Sequence, residues 1–146
     1  MTEWNDITNA VGTALGGDRH GGRADLLACW DGTNETDHAQ RCVLAHYLAD
    51  TEDDLDAEVA WDELALSAFA SIGDGDLSAV GITSTAALAP SLHLNLGDGY
   101  LRQGRVADAG REQAAGVAAA DALGDDGYAA MIRAGLDRLR DRIAAR

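Results

Sequence analysis

The stretch Leu94-Asn-Leu-Gly-Asp-Gly-Tyr-Leu-Arg-Gln-Gly-Arg-Val-Ala-Asp-Ala109 decides the fold of this 146-residue chain. Leu94, Leu96, Tyr100 and Leu101 supply the apolar surface of a helix. Gly104 punctuates it, and Ala109 follows Gly97 by twelve positions. Small residues at that separation let two antiparallel helices touch backbone to backbone across a short turn. The same separation links Gly12 to Ala24 and Ala45 to Ala57. Three helical hairpins are therefore expected.

Working outward, apolar residues at helical spacing predict helices over about 3–16, 19–30, 36–50, 54–71, 84–103, 106–122 and 127–145. Trp4, Ile7, Val11 and Leu15 form the first stripe; Ile132, Leu136, Leu139 and Ile143 form the last. Gly16-Gly17 ends the first helix, and Asp53 or Asp54 can cap the fourth. Residues 72–83 are Gly-rich and predict a loop, and Pro90 marks a beginning or break in the fifth helix. No segment alternates with period two. The expected fold is all-α: one domain over 1–146, with hairpins at 3–31, 36–71 and 84–122 and a capping helix at 127–145.

Leu96-Gly97, Tyr100, Gly104 and Ala109 resemble the tetratricopeptide repeat signature of a Leu-Gly pair, an aromatic three residues on, a turn glycine and a small residue. Val11-Gly12, Leu15 and Ala24 form an earlier copy, and Leu44-Ala45, Leu48, Ala57 and Trp61 a middle one. The copies are 33 and then 52 residues apart. Against the family period the second step implies an insertion of roughly 18 residues. The middle copy admits a second register, shifted by one residue. It would bring His46 and Glu58 into the tight contact and suit Val59, Ala65 and Leu66. The resemblance implies hairpins stacked in a right-handed superhelix, a groove lined by the first helix of each hairpin, and binding of a peptide or protein partner rather than catalysis. It places Asp6, Asn9, Thr13, Cys42, His46, Asp50, Ser91, Leu94, Asp98 and Arg102 on the groove. Family members that clamp a peptide carboxylate use Lys, Asn and Arg there. This chain has no Lys, and its groove is acidic.

Charge narrows the partner. Residues 1–90 hold 17 acids and 3 arginines, whereas residues 91–146 hold 8 of each, so the net charge of −14 lies in the first part. Such a surface repels phosphate backbones, which disfavours nucleic acid, and attracts a basic or polar protein segment. General solubility alone would also account for it. Four arginines in the last helix, Arg138, Arg140, Arg142 and Arg146, complement the helix dipole or face solvent, and would also allow a head-to-tail homo-oligomer. No apolar run is long enough to span a bilayer, and Met-Thr-Glu-Trp-Asn-Asp-Ile-Thr-Asn-Ala is no secretory leader, so a cytoplasmic location is expected. Cys29 and Cys42 match neither a zinc nor a redox spacing and read as buried thiols. The Lys-free, Ala- and Gly-rich composition resembles that of GC-rich bacteria such as actinobacteria.

One constellation could carry chemistry. His46 and Asp50 share a helix face, as do Glu58 and Asp62. If the two faces meet, they could hold a divalent metal or work as an acid–base set, giving a small helical metal-dependent hydrolase as the alternative to an interaction module. Carboxylates are also favoured at a helix start for electrostatic reasons, and His46 with one carboxylate would be an ordinary structural pair. Asp74-Gly-Asp fails as a calcium loop, since Ala79 and Thr85 stand where Gly and a bidentate Glu are required. The leading expectation is a protein-interaction module that needs no cofactor.

Overall fold

A computed structural model describes residues 1–146. It contains α1 (Trp4–Leu15), α2 (Arg19–Asp31), α3 (His38–Asp50), α4 (Leu55–Phe69), α5 (Ala89–Arg102), α6 (Val106–Ala119) and α7 (Gly127–Ala144). Short 3-10 turns occupy Ser78–Val80, Thr85–Leu88 and Ala120–Ala122, and there is no strand. The fold is all-α. Pro90 sits in the first turn of α5, where its missing N–H breaks no helical hydrogen bond, so the expected helix from 84 opens as a 3-10 turn instead. No helix is long and apolar enough to cross a membrane.

Aspartates start several of these helices. Asp18 accepts from the Gly21 N–H at 2.9 Å, Asp54 from Ala57 at 2.9 Å and Asp126 from Ala129 at 2.8 Å. Each satisfies an N–H that the helix leaves unpaired, a contribution of about 1 kcal/mol. Of the two candidate caps for α4, Asp54 serves.

The chain divides into two compact units, Met1–Thr83 and Ser84–Arg146. In the first, α1 packs on α2, α3 packs on α4, and α3 also meets α2 and α1. Ile7, Leu26, Leu44, Leu48, Val59 and Leu77 are its fully buried large side chains.

The small pair that closes the first hairpin is Ala14 and Gly22. A Cβ built on Gly22 would overlap the Ala14 backbone. The expected pair, Gly12 and Ala24, is exposed, and a Cβ on Gly12 would touch nothing within 4 Å. Both pairs are symmetric about the same turn. Two positions along a helix amount to about 200° of rotation, so the expected pair falls on the outward face. In the second hairpin Ala45 is fully buried and Ala57 half-buried. Val59 and Ala65, which the shifted register suits, are buried too.

The first unit is also pinned by a polar cluster that crosses helices. Glu52, in the turn before α4, accepts from Arg23 at 2.6 Å and from the Trp61 indole N–H at 3.0 Å. The Trp61 ring meets Trp30 edge-on at 4.9 Å, and the Arg41 guanidinium lies 4.7 Å from the Trp30 ring centre.

In the second unit α5 packs on α6, and α7 packs on both. Gly104 has φ +81° and terminates α5, with its N–H on Leu101 O at 2.9 Å and the Arg105 N–H on Tyr100 O at 2.8 Å. Those two bonds are the Schellman arrangement that a left-handed residue permits. Arg105 then stacks on the Tyr100 ring at 4.1 Å. Glycines on all three helices admit close packing. A Cβ on Gly97 would come within 2.8 Å of Leu139 Cδ2 and 3.5 Å of Ala109 O, and one on Gly116 within 2.7 Å of Leu136 Cδ2. On α7, a Cβ on Gly135 would lie 2.8 Å from Leu94 Cδ2. Leu136 and Leu139 are nearly inaccessible, and burying each contributes roughly 1.5–3 kcal/mol.

Candidate functional site

Helices α1 and α2 flank an open cleft of about 420 Å³. Asp6 and Asn9 line it from α1 and Asp25 from α2, together with Ala10, Ala28, Cys29, Gly32 and the chain start at Met1 and Thr2. The N-terminal segment is fixed beside it: the Thr2 N–H donates to Gly32 O at 3.2 Å, and the Thr2 hydroxyl donates to Cys29 O. Gln40 Nε2 donates to Thr2 O at 3.1 Å. Asp6 accepts from the Glu3 N–H at 2.9 Å and so also starts α1. Asp25 is exposed and makes no hydrogen bond or ion pair. Burial raises the Cys29 thiol pKa, and the Asp6 and Asp25 carboxylates raise it further. Two negative fields therefore meet at Cys29.

The other groove positions have varied surroundings. Asn9 is exposed, and the half-buried Thr13 donates its hydroxyl to Asn9 O at 3.1 Å. Cys42 is fully buried, so it belongs to the core and offers nothing to a partner; burial pushes its thiol pKa up to about 12. Neither cysteine forms a disulfide. Ser91 is buried and donates to Leu88 O at 3.0 Å. Leu94 packs against Leu123, Ala129, Ile132 and Leu136, which commits it to α7. Asp98 accepts from Arg102 at 2.9 Å and from Arg142 at 2.7 Å.

His46, Asp50, Glu58 and Asp62 do not form a metal centre. No group of three or more His, Cys, Asp or Glu side chains is placed to hold an ion. Asp62 is buried, His46 and Glu58 are half-buried, and Asp50 is exposed. His46 lies edge-on to Tyr47 at 5.1 Å. Desolvation lowers the His46 pKa, opposed by Asp50; desolvation raises that of Asp50, opposed by His46 and reinforced by Glu58. The imidazole and two carboxylates thus sense one another electrostatically.

No protein family, curated protein or solved structure matches this chain.

Two polar pairings were not foreseen from sequence. His93 Nδ1 meets Glu112 Oε2 at 2.7 Å between α5 and α6, with both side chains 19% exposed. The Gly97–Ala109 register carries that signal: four residues before Gly97 and three after Ala109 are neighbours across the hairpin. The Arg23–Glu52–Trp61 cluster has no such signal, because it joins three elements whose packing no local pattern encodes.

Proposed function

We propose that this protein is an interaction module built from stacked helical hairpins in the manner of tetratricopeptide repeats, and that its acidic first unit captures a basic or polar protein segment. One observation supports this reading above the others. All three arginines of the first unit are engaged by their own chain. Arg19 pairs with Asp53 at 2.7 Å, Arg23 with Glu52 at 2.6 Å, and Arg41 donates to Thr33 while lying over Trp30. Against those three arginines the unit holds 17 carboxylates, so it carries a large net negative charge.

A basic segment would relieve that self-repulsion, and electrostatic steering would speed its arrival. Nucleic acid is a poor match for the same reason. The test is fluorescence anisotropy with labelled oligoarginine and oligoglutamate peptides of equal length. The arginine peptide binds and the glutamate peptide does not. Equal binding of both, or of neither, contradicts the reading.

A further inference from the structure

The 11 arginines of the chain include one, Arg138, that makes no hydrogen bond or ion pair within it. The other arginines on and just beyond α7 are committed. Arg133 donates to the carbonyls of Gly124 and Ala120, Arg140 pairs with Asp141, Arg142 with Asp98, and Arg146 donates to Leu101 O. Arg138 is exposed, and Met131 and Ala134 precede it at i−7 and i−4, on the same outward face. Met131 is 57% exposed, an unusual position for an apolar side chain of that size. The outward face of α7 thus offers an uncommitted guanidinium beside an apolar anchor.

The cleft between α1 and α2 has the complementary chemistry. Asp6 and Asp25 supply carboxylates that a guanidinium fork recognises, and Ala10, Ala28 and Cys29 supply apolar lining for its methylene stem. We propose that the occupant of this cleft is Arg138 of a second copy of the chain, with Met131 packing at the rim. The two surfaces belong to different units, one net negative and one net neutral, so each copy has one donor face and one acceptor cleft. Such a contact is heterologous and propagates head to tail into a ring or an open chain. The inference rests on the proposed capture of basic segments by the first unit, and names the segment.

Sedimentation velocity on the full chain tests it, over a concentration series at about 0.1 M and about 1 M salt, where the Debye length is about 10 Å and about 3 Å. The expected mass rises with concentration at the lower salt and falls toward the monomer at the higher. Arg138→Ala and Asp25→Asn each weaken association by about tenfold or more. The single reversals Arg138→Asp and Asp25→Arg abolish it, and the two combined in one chain restore it. Far-ultraviolet circular dichroism of each variant guards against misfolding. A protein that stays monomeric throughout, or oligomers indifferent to these substitutions, overturns the proposal. A monomer that still binds oligoarginine overturns self-docking while leaving capture of basic segments standing. Arg138-dependent association without peptide binding supports self-docking and removes the broader reading.

Discussion

Gly97 faces Leu139 as well as Ala109: a Cβ at position 97 would stand 2.8 Å from Leu139 Cδ2 and 3.3 Å from Glu112 Cβ. The glycine therefore sits against two neighbours, one on the partner helix of its own hairpin and one on α7. Gly97→Leu should overpack this junction and destabilise the protein by about 1–3 kcal/mol or more. Urea unfolding followed by circular dichroism measures it. A neutral result would contradict the packing of α7 on the α5–α6 pair.

The first hairpin allows a paired test of register. Gly22→Ala forces a Cβ into the Ala14 backbone, which has no flexible end to yield, and should destabilise by about 1–3 kcal/mol. Gly12→Ala meets nothing, and should stabilise by up to about 1 kcal/mol through helix propensity. Thermal melts of the two variants should shift in opposite directions.

These glycines also show what was legible beforehand. Helix positions were readable apart from the start of α5, because apolar spacing and Gly or Asp punctuation are local signals. The third hairpin was readable in detail, because Gly97, Tyr100, Gly104 and Ala109 all serve one turn and one interface. The first was misread by half a rotation: Gly12 and Ala24 have the right symmetry about the turn, and sequence alone does not say which face of α1 meets α2. The cleft of Asp6, Asn9 and Asp25 was only partly visible. Asp6 and Asn9 follow from helix phase, whereas Asp25 enters from the opposing helix. Burial of Cys42, and the commitment of Leu94 and Asp98 to α7, depend on packing between helices distant in sequence.

Glu52 is the keystone of the polar cluster in the first unit. Glu52→Ala would remove the acceptor of both Arg23 and the Trp61 indole. Its side chain is 11% exposed and that of Arg23 is 33% exposed, so solvent screening reduces the ion-pair part. The expected loss is roughly 1–3 kcal/mol, with most of it from the unsatisfied partners. Trp61 fluorescence should shift in the folded state as the indole loses its bond. Glu52→Gln, which keeps an acceptor, should recover part of the stability.

Cys42 predicts an alkaline limit. Its thiol pKa rises from 9.0 to about 12 on folding. Between those values the folded chain keeps a proton that the unfolded chain releases. The stabilising contribution is complete below about pH 9 and declines as pH rises toward 12, by up to about 1.4 kcal/mol per pH unit. Urea titrations from pH 8 to pH 11 should show that slope in the wild type and a shallower one in Cys42→Ala. Thiol reagents at pH 8 should leave Cys42 unmodified until the protein unfolds.

The central claim is that the net negative first unit captures a basic segment. The most direct measurement is the affinity of an oligoarginine peptide for the full chain across a salt series, in the wild type and in Asp25→Asn. The account predicts affinity that falls steeply with salt, and a weaker, flatter dependence in the variant. Binding unaffected by salt and by Asp25→Asn, or no binding at the lowest salt, would contradict it.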